Sequence, residues 1–373
     1  MGVYLHWPYC ARICPYCDFN VVRDRGRADE AAGLARAIVA DLRGQAAITG
    51  PRRLVSVFLG GGTPSLMDPA FAAEIIAEAR RLWPSDGPVE VTLEANPTDA
   101  EAMRFAAFAD TGVNRLSLGV QALDDASLAL LGRNHDADQA RRALSLAGRL
   151  FPRLSLDLIY ALPAQTPDGW RRTLEEAVDF GPEHLSPYQL TIERGTAFDR
   201  AVRRGSLTPP GPDPAADLYD ETQATLQRLG FDAYEVSNHA RGEGARSRHN
   251  LVAWRGEDYV GAGPGAHGRL TLQGARTATI AHRRITDYVT AVDATGVGWV
   301  ERETLSPREQ AEERLLMGLR IIEGVPLNDL TPLPLTRLPE LLEQGMVTQD
   351  DGRLQATAAG RLLLDRVTGM LAE

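Results

Sequence analysis

The chain has 373 residues, of which 44% are hydrophobic and 24% charged, and its formal net charge is −10 at pH 7. The acidic balance argues against general nucleic-acid binding, because proteins that neutralise phosphates usually show a basic balance. No segment reaches the ~18 apolar residues that span a bilayer, and the first ten residues do not resemble a secretory signal. We therefore expect a cytoplasmic protein, with peripheral membrane contact left open.

Short apolar runs alternate with helical segments over the first half of the chain. The six runs predicted to be strands are residues 3–5, 54–59, 89–93, 115–120, 154–160 and 185–192. The segments between them carry apolar residues at i, i+3 and i+4 spacing, which predicts helices. This alternation predicts βαβ units and a parallel sheet. Six units are too few for a closed eight-fold barrel. We expect a partial, open barrel with its working residues at the C-terminal ends of the strands.

The later part of the chain follows a different pattern. Residues 259–268 are too rich in glycine for a regular element. From Ser306 onward, the order helix, helix, hairpin, helix resembles a winged-helix-like module, with Ser306 as the N-cap of its first helix and the hairpin turning at Asp351-Gly352. The domains that we predict are a barrel over residues 1–235, a connecting region over 236–300, and a C-terminal, mostly helical winged-helix-like domain over 301–373.

The only three cysteines of the chain, Cys10, Cys14 and Cys17, lie within one short segment. An odd number in so small a window cannot form a disulfide framework. Three thiolates can fix three irons of a 4Fe-4S cube and leave the fourth iron open. A zinc site that uses His6 as fourth ligand and a cluster of inert thiols are the alternatives.

Two neighbouring features bear on these alternatives. Tyr16 directly precedes the last cysteine, where its ring would cover a cluster or an adenine base. The glycine run 60–62 ends the second predicted strand, where free backbone N–H groups would be able to hold a carboxylate or an amino acid head. Both features favour a ligand-binding loop over a structural zinc site.

Six ordered segments, which cover nearly the whole chain, carry a resemblance to a known family. They are YLHWPYCARICPYCDF (4–19), GGGTPS (60–65), EANP (94–97), SLGVQ (117–121), LGRNH (131–135) and DLIYALP (157–163). The chain resembles the oxygen-independent coproporphyrinogen III oxidase-like group of radical S-adenosylmethionine (SAM) proteins. The resemblance implies a partial (β/α)6 TIM-like barrel of the radical SAM type. It also implies a 4Fe-4S cluster on Cys10, Cys14 and Cys17, with SAM at the open iron.

The same resemblance implies a set of SAM-binding residues, which consists of Tyr4, Gly61, Gly62, Thr63, Glu94, Gln121, Arg133 and Asp157. Tyr4 would contact SAM, the glycine turn would hold its methionine end through the backbone, and Glu94 would hydrogen-bond its amino or ribose groups. Gln121, Arg133 and Asp157 would complete the pocket. The structural alternatives are a surface ion pair for Arg133 and a strand-end cap for Asp157.

Two branches of this group differ in function. The oxidases decarboxylate the propionates of coproporphyrinogen III and resemble one another in a C-x3-C-x2-C-x-C pattern preceded by an N-terminal extension. Here Phe19 stands where that pattern has its last cysteine, and the first cysteine is already at position 10. Both departures match the HemW-type branch of heme chaperones, which bind heme and transfer it to apo-proteins such as respiratory enzymes.

The resemblance also implies heme as a cofactor. The heme-chaperone branch carries an H-N-x-x-Y-W segment, and this chain has His249-Asn250-Leu251-Val252-Ala253-Trp254, with Ala253 in place of the tyrosine. His249 is therefore a candidate axial ligand, with a buried loop histidine as the structural alternative. The oxidase is the alternative function. A DNA-binding regulator is suggested only by the winged-helix-like part, whose mixed charges disfavour it. Either a monomer or a cluster-dependent dimer is compatible with the sequence.

Overall fold

A computed structural model describes all residues from 1 to 373. Its strands, numbered in chain order, are β1 (Gly2–Trp7), β2 (Tyr9–Cys10), β3 (Val22–Arg23), β4 (Ser56–Gly61), β5 (Glu90–Ala95), β6 (Arg115–Gln121), β7 (Arg153–Tyr160), β8 (His184–Gln189), β9 (Asp232–Glu235), β10 (Asn238–Ala240), β11 (Tyr259–Ala262), β12 (His267–Leu272), β13 (Ala275–Ala281), β14 (Trp299–Thr304), β15 (Val325–Pro326), β16 (Val347–Asp350) and β17 (Arg353–Ala356).

The α-helices, again in chain order, are α1 (Ala28–Thr49), α2 (Pro69–Leu82), α3 (Asp99–Ala102), α4 (Phe105–Asp110), α5 (Asp125–Leu130), α6 (Ala137–Leu150), α7 (Pro167–Asp179), α8 (Ala197–Arg203), α9 (Pro212–Arg228), α10 (Arg248–Trp254), α11 (Ile285–Thr295), α12 (Pro307–Gly318), α13 (Leu338–Glu343), α14 (Ala358–Leu362) and α15 (Leu364–Ala372). Three single-turn 3₁₀ helices lie at Pro64–Leu66, Glu243–Ala245 and Leu327–Leu330. No helix is long and apolar enough to cross a membrane.

Twelve strands form one twisted, open sheet in the order β14-β13-β12-β11-β1-β4-β5-β6-β7-β8-β10-β9. The seven strands from β11 to β8 in this order are parallel, and the strands that flank them on both sides are antiparallel. Connections between parallel strands are crossovers, so the C-terminal ends of β1 and β4–β8 lie at one edge of the sheet. This is the partial α/β barrel that the sequence predicts.

The helix boundaries follow from local sequence signals. Helix α12 begins with Ser306, whose hydroxyl accepts from Glu309 N while the Glu309 side chain accepts from Ser306 N, and Pro307 fills the first helical position. The predicted N-cap at Ser306 is therefore confirmed. Helix α6 starts on the same kind of capping box, formed by Asp136 and Gln139. The predicted final helix is wrong in one respect, because Leu363 interrupts it and separates α14 from α15.

The prediction of no regular element over residues 259–268 is wrong. Residues Tyr259–Ala262 form β11, which pairs in parallel with β1 at the centre of the sheet. Gly261 lies so close to the neighbouring strand that a Cβ there would be 2.0 Å from the His267 carbonyl oxygen. Glycine is needed here for close approach of two backbones, which composition alone does not distinguish from a loop.

Two hydrophobic cores correspond to the two parts of the chain. The larger core has 56 buried residues and lies between the sheet and its covering helices. A separate cluster of 13 buried residues lies within the C-terminal part, among α12, α13, α15 and the three-stranded sheet β15-β17-β16. The mostly helical C-terminal unit is thus confirmed, and the exact domain boundaries stay predictions.

Candidate cofactor site

A cavity of about 520 Å³, here called the rim cavity, lies near the C-terminal strand ends. Most of the predicted site residues line it, namely Cys10, Cys14, Tyr16, Cys17, Gly61, Gly62, Thr63, Glu94, Gln121, Arg133 and Asp157. Because they come from β4, β5, β6, β7 and the cysteine loop, the strand-end rule explains why residues so distant in sequence meet here. The volume lies within the ~300–1,000 Å³ typical of small-molecule pockets.

The cysteine loop places its three thiols along one wall of the rim cavity. Cys10 is buried, and Cys14 and Cys17 are half-buried. Burial raises the pKa of the Cys10 thiol to about 11. No three His, Cys, Asp or Glu side chains converge closely enough to share a single metal ion. A cubic cluster does not require such convergence, because each thiolate binds a different iron, so the donor set fits a cluster.

His6 is not available as a fourth ligand of a zinc site. Its Nδ1 is 3.0 Å from the Tyr4 hydroxyl, and its Nε2 is 2.9 Å from the Asn20 carbonyl oxygen. Both ring nitrogens are therefore engaged in hydrogen bonds within the protein. The position of His6 gives the zinc alternative no support.

The glycine turn after β4 is shaped by contacts with the cysteine segment. Gly61 has a φ of 108°, and a Cβ on Gly62 would lie 2.8 Å from the Pro8 carbonyl. The N–H of Gly62 donates to Trp7 O and that of Thr63 to Tyr9 O, each at 2.8 Å. The predicted role of free N–H groups is therefore wrong for this turn.

Two buried carboxyl groups lie side by side in the wall of the rim cavity. Glu94 accepts a hydrogen bond from Gly61 N at 3.2 Å, and Ser117 donates to Asp157 at 3.2 Å. Burial, reinforced by the negative charge of Asp157, raises the pKa of Glu94 to about 8. Burial also raises the pKa of Asp157. A positively charged ligand group would favour the ionised form of both carboxyl groups and so oppose this rise in pKa.

Arg133 joins three walls of the rim cavity. Its Nη1 lies 3.3 Å from both Cys14 Sγ and the Tyr16 hydroxyl, and its Nη2 donates to Gly119 O at 2.8 Å. Its Nε is buried without a partner. The surface ion pair considered for Arg133 is wrong, because this side chain is buried and contacts no carboxylate.

Asn96 is a site residue that the sequence analysis did not single out. Its side-chain amide donates to Thr63 Oγ1 at 3.0 Å, and its Oδ1 accepts from Arg133 Nη2. It thereby connects the glycine turn to Arg133. The signal was present, because Asn96 belongs to the EANP segment that carries the family resemblance.

Gln121 has a backbone conformation that residues other than glycine rarely adopt. Its φ is 67°, and the pairing of β6 with β7 shifts register between Gly119 and Gln121. Strain of this kind persists where the surrounding structure imposes it, often at functional sites. The shift turns the Gln121 side chain toward Gly119, whose missing Cβ would lie 3.0 Å from Gln121 Nε2.

Two predicted site residues lie outside the rim cavity. Tyr4 is deep inside the barrel and reaches the cysteine loop only indirectly, through His6 and Asn20. His249 packs at the other end of the sheet, where Nδ1 is 3.0 Å from Ser56 Oγ and the ring stacks on Phe58 at 4.8 Å between centroids. The structure does not bring His249 to the cysteine loop; the residue is half-buried, and its Nδ1 is engaged in a hydrogen bond within the protein.

Phe19 lies at the mouth of the rim cavity. It follows the cysteine loop, lines the cavity, and is 62% exposed. An aromatic side chain of this size is usually buried, so its exposure at a cavity mouth marks a surface suited to an apolar ligand. No sulfur ligand stands at this position.

The fold and the cysteine site define a radical SAM protein. Residues 4–177 match the Radical SAM superfamily, and residues 305–363 match the HemN C-terminal domain. The structure resembles that of coproporphyrinogen III oxidase (HemN) from Escherichia coli with a TM-score of 0.82 and 23% identity, covering 100% of this chain and 89% of that one. This likeness establishes the fold.

Full-length relatives identify the family. The chain is 44% identical over 98% of its length to radical S-adenosyl methionine domain-containing protein 1, mitochondrial, from Bos taurus, of which it covers 85%. It is 36% identical over 99% of its length to heme chaperone HemW from Mycobacterium tuberculosis, of which it covers 94%. The chain therefore belongs to the HemW-like family of radical SAM proteins, and this family implies a 4Fe-4S cluster and SAM.

Proposed function

We propose that this protein is a heme chaperone, which binds heme and transfers it to apo-hemoproteins while carrying a 4Fe-4S cluster with SAM at the open iron. The observation that carries the proposal is Phe19, an exposed aromatic residue at the position where the oxidase pattern has a cysteine. The relatives named heme chaperone HemW, which align over nearly the whole chain, support it. Respiratory enzymes are candidate recipients.

Different residues of the rim cavity would bind the cluster and SAM. Cys10, Cys14 and Cys17 would bind the cluster, and Arg133 would balance the negative charge of the cluster thiolates. When bound, the cluster and SAM supply a one-electron chemistry that protein side chains lack. This family chemistry need not be used in heme transfer.

The SAM-binding roles follow from chemical complementarity. The carbonyl oxygens of Gly61 and Gly62 and the carboxyl of Glu94 suit the ammonium group of SAM's methionine end. Gln121 and Asp157 face the same cavity and suit its ribose hydroxyls. Tyr16 lines the same cavity, and its ring would cover the cluster or the adenine base. Tyr4 contacts His6 and so supports the cysteine segment from inside the barrel; it does not contact SAM in this proposal.

The proposal is tested with protein reconstituted anaerobically with iron and sulfide. Heme is titrated into it while the Soret absorption is followed, and coproporphyrinogen III is incubated separately with the protein, SAM and a reductant. We expect saturable heme binding and no protoporphyrinogen. The control is Phe19→Cys, which restores the oxidase cysteine pattern without touching the cluster ligands. Protoporphyrinogen formation by the wild-type protein would refute the chaperone assignment.

A further inference from the structure

A second cavity lies on the outer side of the cysteine loop, between that loop and helices α5 and α8. It measures about 680 Å³ and is here called the outer cleft. Two other cavities, of about 240 and 290 Å³, fall below the ~300–1,000 Å³ of typical small-molecule pockets. The rim cavity has to accommodate the cluster and SAM. The outer cleft lies within the size range of a small-molecule site, and it adjoins the rim cavity, with which it shares the lining residues Arg12, Ile13, Cys14, Cys17 and Gly132.

Apolar side chains form the walls of the outer cleft. Ile13 protrudes from the cysteine loop and is 47% exposed, Leu130 lies at the end of α5, and Phe198 is at the start of α8. The walls are fixed to the cysteine loop, because Phe198 N donates to Pro15 O at 2.9 Å. An apolar space between rigid elements suits a flat, apolar ligand.

Two arginines in the outer cleft lack carboxylate partners. Arg12 donates to Arg133 O at 3.3 Å and Arg200 donates to Gly195 O at 2.8 Å, and neither forms an ion pair. No Asp or Glu lines the cleft. Guanidinium groups bind carboxylates through paired hydrogen bonds, so the cleft presents two sites for a ligand that carries two carboxylates.

The donor atoms of the outer cleft do not suit strong axial ligation of iron. Its lining includes no His, Met or Tyr, and its sulfur atoms belong to Cys14 and Cys17, which the cluster requires. A heme in this cleft would be held by its ring and its carboxylates. Loose coordination of the iron suits a protein that has to release heme to an acceptor.

We propose that the outer cleft is the heme-binding site. The macrocycle packs against Ile13, Leu130 and Phe198, and its two propionates pair with Arg12 and Arg200. This inference rests on the proposed heme-chaperone function and adds the location and the mode of recognition. It also places the heme against the outside of the loop whose inside holds the cluster.

The test is an anaerobic heme titration of the full-length, cluster-reconstituted protein. The variant is Arg12→Gln combined with Arg200→Gln, and Arg200→Gln alone serves as a second variant that leaves the cysteine loop untouched. The control is Arg36→Gln combined with Arg149→Gln, which removes the same charge from two exposed positions outside the cleft. Each protein is titrated with heme and with heme dimethyl ester. Its cluster absorption verifies that the loop is intact.

We expect the double variant to bind heme roughly tenfold more weakly, since two exposed ion pairs are lost and each contributes only modestly. The Arg200→Gln variant should lose roughly threefold, and the control should bind like wild type. The ester should bind wild type as weakly as heme binds the double variant. Equal heme affinity of wild type and double variant would overturn the cleft assignment and leave the chaperone function standing. Absence of heme binding by wild type would overturn both.

Discussion

Glu90 and Glu94 lie on the same face of β5, four residues apart, yet they occupy opposite environments. Glu90 lies at the N-terminal end of β5, which we call the closed end of the barrel. Its carboxylate accepts hydrogen bonds from Arg153 Nη1 at 2.7 Å and from the backbone N–H groups of Arg248 and His249 at 3.1 and 3.0 Å. Glu94 lies at the C-terminal end of β5, beside the rim cavity, and accepts a single hydrogen bond, from the Gly61 N–H, at 3.2 Å. One carboxylate is satisfied by several protein donors, and the other accepts one hydrogen bond at the wall of the rim cavity.

The pKa values of the two groups report the same difference. Burial acts to raise both, but Arg115 and Arg153 outweigh it at Glu90, whose pKa is lowered. At Glu94, burial and the charge of Asp157 act together and raise the pKa to about 8. The contrast teaches that polar groups are paired within the protein at one end of this barrel, whereas at the other end they leave the bonding capacity that the proposed SAM site would use. It also explains why His249 belongs to the closed end.

The largest expected effect is at the rim. Replacing any one of Cys10, Cys14 and Cys17 by alanine should abolish the cluster, because each thiolate is expected to bind its own iron. Iron and sulfide content and the electron paramagnetic spectrum of the reduced protein measure this. The far-ultraviolet circular dichroism should not change. A variant that retains a wild-type cluster signal would remove that cysteine from the ligand set.

Glu90→Gln tests the closed end. It should lower the free energy of unfolding by about 1–3 kcal/mol, because it weakens the partnership with the largely buried Arg153, which keeps Glu183, and with the backbone N–H groups of Arg248 and His249. SAM affinity should not change. The Glu90 pKa is lowered on folding, so its stabilisation is present above the unfolded value of about 4.3 and is lost as the pH falls. The gap in melting temperature between wild type and variant should therefore shrink on acidification. A constant gap would argue against the ion pair.

Glu94→Gln tests the open end with the same chemical change. SAM affinity, measured by isothermal titration of the reconstituted protein, should fall about tenfold, since a hydrogen bond to a charged group contributes about 1.5 kcal/mol or more. The Glu94 pKa is raised on folding, so its stabilising contribution is complete below pH ~4.3 and is lost as the pH rises toward 8. The wild type should lose melting temperature relative to Glu94→Gln between pH 5 and 8, opposite to the trend for Glu90. Equal SAM affinity would exclude Glu94 from the SAM site.

The smallest effect on heme concerns His249. Replacing it by alanine should leave heme affinity and the Soret band unchanged, because the imidazole packs against Phe58 and Ser56 and does not line the outer cleft. Stability should fall by about 1–2 kcal/mol through loss of packing and one hydrogen bond. Asn250→Ala, on the same helix, is the control. A shifted Soret band in His249→Ala alone would restore His249 as an axial ligand.

Much of the rim was predictable, because the family segments coincide with predicted strand ends. Cys10, Glu94, Gln121, Arg133 and Asp157 come from separate segments, yet parallel strands bring their C-terminal ends to one edge. Local patterns also predicted the N-cap at Ser306, since a capping box is encoded within four residues.

The errors have a common physical cause, which is contact between residues distant in sequence. The glycine-turn N–H groups are occupied by carbonyls of Trp7 and Tyr9, more than fifty residues earlier. Gly261 is in a strand because β11 pairs with β1, whose residues lie near the start of the chain. His249 lies at the closed end because its backbone N–H, in the first turn of α10, donates a hydrogen bond to Glu90. No local pattern encodes these contacts.

The most direct test of the central claim is heme transfer. The heme-loaded, cluster-containing protein is mixed anaerobically with an apo-hemoprotein acceptor, with SAM present, and absorption spectra follow both proteins. The account predicts that the acceptor acquires its holo spectrum while the heme signal of this protein declines in equal amount. Heme that stays on the protein, together with conversion of coproporphyrinogen III under the same conditions, would contradict it and assign the chain to the oxidases.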